Sequence, residues 1–201
     1  YDLLQFLDDD ILITDNFLKR VIYWHNELEN ISLCSKLIFS KKVKEIANKT
    51  SFGRYMIKHE YNNEINDFTS LNDNGLYVSK WLHGSSLSIK RLTFINIGTF
   101  NEEIGFGGEE GELCCRAQLN GISLVYDAKN IIYHNDIDRL ILDNWLKRQT
   151  TGINGAIRIC KLHPEGQNHP TWYTNTPIKA SDNWNVKLLK LKKIFCSFPP
   201  V

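Results

Sequence analysis

A run of three carboxylates, Asp8–Asp10, directly follows the largely apolar segment Leu3–Leu7 and constrains how this chain can fold. An apolar segment of this length is typical of a buried strand, so the acids stand at a strand end. Neighbouring like charges repel one another, and exposure, protonation or a bound cation relieves that repulsion. We interpret the run as a site where a divalent ion holds a phosphate-bearing substrate. The alternative is an acidic turn in which Thr14 or Asp15 caps a helix over 16–28.

A second group of acids follows a glycine-rich loop over 100–108. Glu109, Glu110 and Glu112 occupy the first turn of a predicted helix that ends at Gly121. Carboxylates at a helix start interact favourably with the helix dipole, which accounts for part of this pattern without any chemistry. A catalytic role for these acids therefore needs support from elsewhere in the sequence.

Hydrophobic periodicity and turn residues predict a mixture of helices and strands. Helices are expected over 16–28, 41–49, 90–97, 109–120 and 138–159, the last interrupted at Gly152 and Gly155, and strands over 82–89, 122–126 and 131–134. Apart from the helix at 41–49, the region 31–69 shows only short apolar pieces, and we expect it to form irregular loops. An amphipathic helix over 183–198 is expected to pack on the domain, with peripheral contact to the inner face of a membrane as the alternative.

Length and charge limit the class of protein. The 201 residues suffice for one domain with a sizeable core. A net charge of +1, from 24 basic and 23 acidic residues, argues against nucleic acid as a partner. No run approaches the roughly 18 apolar residues that span a bilayer, so we expect a soluble, cytoplasmic protein. The five cysteines form no CxxC pair, which fits a reducing compartment.

Four segments, in this order, resemble the second half of a family 2 glycosyltransferase with the GT-A fold. They are FLDDDI at 6–11, GSSLSIKR at 84–91, IGTFNEEIGFGGEEGELCCRAQLNGISLVY at 97–126 and YHND at 133–136. The third segment is the most specific, because it combines a glycine-rich loop, an acidic pair, and Glu-Leu and Arg on one helix.

The resemblance implies an α/β fold, a GT-A-like (nucleotide-diphospho-sugar transferase) mixed sheet flanked by helices, over residues 1–160. Residues 161–201 would form a C-terminal extension with an amphipathic helix. The resemblance also implies that the first strands of the fold, which hold the nucleotide base, precede Tyr1. The single methionine, Met56, agrees with a chain that is a portion of a longer product.

Five positions receive roles from the resemblance. Asp8 and Asp10 match the Asp-x-Asp motif, with Asp10 as a metal ligand and Asp8 near the ribose or the metal. His134 matches a position that in some relatives contacts the metal or the diphosphate. Glu110 aligns with the catalytic base. The acidic pair is Glu-Glu where the family usually has Glu-Asp, so Glu109 remains the alternative base.

The same resemblance places Asp9, Gly107, Gly108 and Arg116 among the donor-binding residues. Arg116 also fits a second interpretation, because it lies four residues after Glu112 on one helix face and would brace the site.

Aromatic rings near these segments are candidates for the acceptor site. Trp81 and His83 are expected to bind the acceptor, because apolar faces of sugars pack on rings, and Trp172 and Tyr173 offer similar surfaces. A position in the core is the alternative for each ring. Four histidines lack metal-ligand spacing and are expected to be surface or structural residues: His25, His59, His163 and His169.

The activity implied is transfer of a sugar from a nucleotide-diphosphate donor to the hydroxyl of a carbohydrate or lipid-linked acceptor, as in polysaccharide biosynthesis. Mn²⁺ or Mg²⁺ would neutralise the leaving diphosphate. One base without a separate nucleophile predicts inversion at the anomeric carbon. The alternatives are a non-catalytic carbohydrate- or nucleotide-binding module, favoured by the Glu-for-Asp change, and a less favoured metal-dependent phosphohydrolase.

Overall fold

A computed structural model describes residues 2–59, 69–164 and 178–196, with side chains up to residue 191 in the last range. A mixed sheet of seven strands lies at its centre. The strands are β1 (Leu3–Gln5), β2 (Ile11–Leu12), β3 (Ile31–Phe39), β4 (Thr69–Ser70), β5 (Leu76–Val78), β6 (Ser88–Lys90) and β7 (Ser123–His134). Their order across the sheet is β1-β6-β3-β7-β5-β4, and β2 also pairs with β7.

The parallel pair of β3 and β7 forms the middle of the sheet. Its register runs from Ile31 opposite Ser123 to Phe39 opposite His134. Both faces of a central parallel strand are covered, and β3 is accordingly buried along almost its whole length. The prediction of irregular structure was wrong for this strand, because a strand buried on both faces shows no alternation of polar and apolar residues.

β7 is one strand of 12 residues, where the sequence predicted two strands around a turn. Its register against β3 jumps from Asp127 to Ile131, so the expected turn residues form a bulge within a continuous strand.

The Asp127 carboxylate, which is fully buried, holds this bulge together. It accepts hydrogen bonds from the backbone N–H groups of Lys129 and Asn130 at 3.0 and 3.2 Å. It also accepts two from the Arg20 guanidinium, at 2.5 and 2.9 Å, and one from the Trp24 indole at 3.0 Å. Asp127 thereby ties the first helix to the middle of the sheet.

Seven helices accompany the sheet in the described residues. They are α1 (Phe17–Glu27), α2 (Lys41–Ala47), α3 (Ser51–His59), α4 (Arg91–Asn96), α5 (Glu109–Leu119), α6 (Leu142–Leu162) and α7 (Trp184–Cys196). α1 covers one face of the sheet through Phe17, Val21 and Trp24. α4 and α5 cover the other face through Phe94 and Leu113, which completes an α/β layered core.

The start of α1 differs from the expected capping. Its N-cap is Asn16, whose side chain makes no capping hydrogen bond. The backbone N–H of Phe17 donates instead to the carbonyl of Thr14 at 3.0 Å. Capping by the side chain of Thr14 or Asp15 was therefore a wrong prediction.

The predicted strand over 82–89 is mostly a loop with a 3₁₀ turn at Gly84–Ser86, and only its end belongs to β6. Two serines of this turn hydrogen-bond to other segments instead of following the alternation of a strand. Ser86 Oγ accepts from the Ser35 N–H at 2.9 Å, and Ser85 Oγ donates to Asp8 at 2.7 Å.

α6 is continuous where an interruption at Gly152 and Gly155 was predicted. A Cβ at Gly155 would lie 2.2 Å from the carbonyl oxygen of Gly107, so this glycine lets the helix pack directly on the loop before α5.

The apolar side chains of α7 are largely exposed. Trp184 is 72% exposed and Leu188 is 49% exposed, so the expected packing of this face on the domain is not observed for them. Lys190, expected on an outer charged face, is buried and pairs with Asp182 at 2.7 Å. Among the residues with described positions, no helix has the length and apolar character needed to cross a bilayer.

Replacing the buried anchor tests this account of the core. Asp127→Asn should lower the free energy of unfolding by about 3–5 kcal/mol, because it leaves the Arg20 guanidinium without its buried partner charge. Urea unfolding of both proteins measures the difference. Asp73→Asn is the control, since Asp73 is exposed near the same bulge and its change should stay within about 0.5 kcal/mol. Equal effects of the two substitutions would contradict the anchoring role.

Candidate functional site

The acidic turn near the start of the chain lies beside the ends of the two central strands. β3 and β7 end side by side at Phe39 and His134, and β2 pairs with β7 so that Ile11 lies opposite His134. The backbone N–H of Asn135 donates to the carbonyl of Asp10 at 2.9 Å. Because carboxyl ends of parallel strands commonly form ligand sites, the acidic turn lies where such a site is expected.

Asp10, His134 and Asp136 form a cluster whose ligand atoms all lie within 4.8 Å of one another. Asp10 Oδ2 is 3.2 Å from His134 Nε2. The other oxygen, Asp10 Oδ1, is buried and has no hydrogen-bond partner among the described residues. A buried carboxylate oxygen without a donor fits a cation ligand, and an oxygen-rich set with one imidazole suits Mn²⁺ or Mg²⁺.

His134 is held as a ligand would be. Its ring stacks on Phe39, with centroids 6.5 Å apart and planes within 2°. Burial lowers the pKa of His134, and nearby Arg139 lowers it further, while the surrounding aspartates act in the opposite direction. The neutral form of histidine is the one that binds metals.

The 3₁₀ turn at Gly84–Ser86 connects the two acidic groups. Ser85 Oγ donates to Asp8 Oδ2 at 2.7 Å, and the backbone of Gly84 hydrogen-bonds the Glu110 carboxylate. Asp8 and Glu110, which are distant in sequence, are therefore both hydrogen-bonded to this turn.

Glu109 and Glu110 lie in different environments although they are adjacent. The Glu109 carboxylate accepts from the backbone N–H groups of Gly107 and Gly108 at 2.7 and 2.8 Å, so it is used at the start of α5. Burial raises the pKa of Glu110, and repulsion from Glu109 and from Asp8 raises it further. A raised pKa brings a carboxylate closer to the range in which it exchanges protons efficiently.

Both acidic groups line one cleft of about 670 Å³. Eight of the residues predicted from the sequence are among its walls: Asp8, Asp9, Asp10, Trp81, His83, Glu109, Glu110 and His134.

Three predicted donor-binding residues have other contacts. Arg116 lies outside the cleft, where its guanidinium donates to Glu112 at 2.7 and 2.5 Å and to the backbone carbonyls of residues 97 and 99. It braces the loop before the site, because residues four apart on a helix face each other. The backbone N–H groups of Gly107 and Gly108 donate to the Glu109 carboxylate. Direct donor binding by Arg116, Gly107 and Gly108 stays a prediction.

His83 stands in the cleft as a neutral ring. Burial lowers its pKa to about 4. Its Nε2 lies 2.9 Å from the Ser35 carbonyl oxygen, which can only accept, so we assign the proton to Nε2. The lone pair is then on Nδ1, which is buried without a hydrogen-bond partner among the described residues.

Sequence reasoning missed several residues of the cleft. Arg148 and Arg139 line it and pair with Asp136 at 2.9 and 3.6 Å. Asp136 stands in the YHND segment, and its spacing of three from Arg139 was a signal available in the sequence. Arg148 carried no such signal, because α6 brings it back to the cleft. His59 also lines the cleft, although it was expected to be a surface or structural residue.

Two other histidines have structural roles, as expected. His25 Nε2 lies 2.9 Å from Ser88 Oγ in the core, and His163 Nε2 lies 2.8 Å from a Glu112 carboxylate oxygen. His169, Trp172 and Tyr173 lie outside the described residues.

The arrangement of strands and helices is also found in a solved glycosyltransferase. The crystal structure of GalNAc-T7 with UDP, GalNAc and Mn²⁺ matches with a TM-score of 0.53 and 12% sequence identity, over 96% of this chain and 38% of that chain. No protein-family model and no curated protein sequence matches the chain. At such low identity the likeness concerns the fold alone. The α/β class predicted from the sequence is confirmed, and the fold is GT-A-like.

Proposed function

We propose that this chain carries the catalytic part of a metal-dependent glycosyltransferase that moves a sugar from a nucleotide diphosphate to an acceptor hydroxyl. One observation carries the proposal: in a GT-A-like fold, Asp10, His134 and the half-buried Glu110 line the same cleft, and a carboxylate oxygen of Asp136 lies within 4.8 Å of the ligand atoms of Asp10 and His134. The sequence resemblance to family 2, which rests on the segments that contain Asp10, Glu110 and His134, supports the same function.

The donor end of the site consists of the acidic turn and the two arginines. Asp10, His134 and Asp136 would hold Mn²⁺ or Mg²⁺, and the bound ion would neutralise charge on a diphosphate leaving group. Asp8 is fixed by Ser85 at the edge of this cluster, and Asp9 is exposed beside it. Arg148 is 40% exposed, and Asp136 holds its guanidinium in place. The exposed part of the guanidinium would donate hydrogen bonds to phosphate oxygens.

The acceptor end of the site is defined by Glu110. A hydroxyl that attacks the anomeric carbon loses its proton, and a carboxylate within about 2.6–3.2 Å accepts it. Glu110 suits this role better than Glu109, because the Glu109 carboxylate already holds two backbone N–H groups. Trp81 and His83 line the cleft and would orient the acceptor.

Removing the charge of Asp10 tests the metal site. Asp10→Asn should weaken binding of Mn²⁺ by about tenfold or more and abolish metal-dependent turnover, because an amide oxygen carries no charge. Titration calorimetry with Mn²⁺ and UDP measures the binding step. Asp15→Asn is the matched control, since Asp15 is exposed and does not line the cleft. Unchanged Mn²⁺ binding by Asp10→Asn would contradict the proposed cluster.

The two glutamates should respond differently to the same substitution. Glu110→Gln should lower kcat about 10²-fold or more with little change in donor affinity, because it removes the proton acceptor. Glu109→Gln should chiefly lower the free energy of unfolding, by about 0.5–2 kcal/mol, as loss of a capping interaction does. Steady-state kinetics and urea unfolding separate these effects.

The pH profile gives this comparison a second readout. A base must be deprotonated, and the pKa of Glu110 is raised, so activity should fall with decreasing pH at a higher pH than an ordinary glutamate would produce. Residual activity of Glu110→Gln should lack this acidic limb. A greater loss of kcat in Glu109→Gln than in Glu110→Gln would show that Glu109 is the base and that the assignment to Glu110 is wrong.

Stereochemistry is the third test. One candidate base and the absence of an assigned nucleophile support single displacement, so the product should have the inverted anomeric configuration. Nuclear magnetic resonance of the first product formed determines the configuration directly. A product with retained configuration would refute the inverting mechanism while leaving glycosyl transfer intact.

A non-catalytic carbohydrate- or nucleotide-binding module is the second candidate. The Glu-Glu pair in place of Glu-Asp favours it, since the longer side chain changes the reach of the base. Binding of UDP and Mn²⁺ without turnover of any nucleotide sugar, measured with the complete natural protein, would support the module.

A further inference from the structure

A second cavity, of about 500 Å³, adjoins the catalytic cleft between α5 and α6. Four residues line both spaces, namely Trp81, His83, Glu110 and Arg148. The proposed base therefore stands at the junction of the two cavities. We call the second cavity the α5–α6 groove.

The walls of the groove are mainly apolar. Leu82, Ile153, Ala156 and Ile159 contribute aliphatic side chains, and Trp81 contributes a ring. Glu110 is the only carboxylate among the lining residues of the described part. Sugar hydroxyls need polar partners when they leave water, whereas hydrocarbon gains free energy on such a surface.

Two glycines of α6 explain why the groove exists. Gly155 packs on the backbone of Gly107, which brings α6 close to the loop before α5. At Gly152, nearly one turn earlier, an added Cβ would meet no atom within 4 Å. The helix is thus anchored at one glycine and leaves open space at the other, which lines the groove.

One polar atom at the junction suits a hydroxyl. His83 Nδ1 is buried, has no hydrogen-bond partner among the described residues, and belongs to a ring that lines both cavities. With Nε2 directed to the Ser35 carbonyl, Nδ1 accepts a hydrogen bond. A head group with two neighbouring hydroxyls would donate one to His83 Nδ1, which orients it, while the other gives its proton to Glu110 as it attacks.

We infer that the α5–α6 groove binds the apolar body of an amphiphilic acceptor, a hydroxyl-bearing head group attached to hydrocarbon, with the head group at the junction with the catalytic cleft. This inference rests on the proposed transferase function and adds the chemical class of its acceptor. Continuity of the groove with the cleft at Glu110 is the observation that selects this occupant.

Glycosides that differ only in their aglycone test the inference. Octyl and methyl β-glycosides of glucose, galactose and N-acetylglucosamine, below their micelle concentrations, are titrated into the protein with Mn²⁺ and UDP present. At least one octyl glycoside should bind tenfold or more tightly than its methyl counterpart, because burial of two methylene groups already yields a factor of about ten. Equal affinity, or no detectable binding of any octyl glycoside, would overturn the inference.

A substitution that fills the groove localises the effect. Gly152→Phe places a ring in open space and removes a helix-interior glycine, so the variant should fold at least as well as the parent. The ratio of its affinities for the octyl and methyl glycosides should fall tenfold or more. Thr150→Phe is the matched control, because Thr150 is exposed on α6 and does not line the groove, and it should keep the preference. Octyl binding that survives Gly152→Phe would place the hydrocarbon elsewhere and overturn the inference.

Binding of UDP and Mn²⁺ distinguishes failure of the groove inference from failure of the proposed function. It should be the same in Gly152→Phe and in the parent, since Gly152 does not line the catalytic cleft. Loss of the octyl preference with retained UDP and Mn²⁺ binding supports the groove. If the parent binds UDP and Mn²⁺ but shows no octyl preference, the inference fails and the proposed function stands. If the parent does not bind Mn²⁺, the proposed metal cluster and with it the proposed function fail.

Discussion

The parallel pairing of β3 with β7 is the constraint on which the rest of this structure depends. It runs the length of β3 and ends at Phe39 and His134. There β2 pairs with β7, and the backbone N–H of Asn135 donates to the Asp10 carbonyl. The buried Asp127 carboxylate accepts hydrogen bonds from the backbone of the β7 bulge and from Arg20 of α1. It thereby stabilises the bulge and attaches α1 to the pair of β3 and β7. The position of the acidic cluster is therefore set by backbone pairing at the ends of these two strands.

Adjacent residues acquire different chemistry from their surroundings. Glu109 turns back to the N–H groups of the preceding glycines, which stabilises its charge and the start of α5. Glu110 is half-buried, and its partial burial together with repulsion from Glu109 and Asp8 raises its pKa. The proposed separation of roles within the Glu-Glu pair rests on these environments, and the same principle separates acids from bases in many active sites.

Much of the fold was predictable where the sequence pattern is local. The α5 helix begins at Glu109 as expected, and α1 differs from its predicted span by one residue at each end. β3 was missed because a strand covered on both faces has no alternation, and the turn predicted within β7 is a bulge because pairing with β3 continues beyond it. Arg148 was missed for a related reason, since only the path of α6 returns it to Asp136.

The sequence by itself indicated Asp10 and His134 as candidate cation ligands and the Glu109–Glu110 pair as candidate bases, because residue type and its place at a strand or helix end are local properties. Tertiary structure alone decided that Asp8–Asp10 and Glu110 share one cleft, that Arg116 braces a loop beside it, and that an apolar groove opens at Gly152. These facts depend on strand order, burial and the approach of one helix to another. Such contacts join residues far apart in the chain, and no local pattern encodes them.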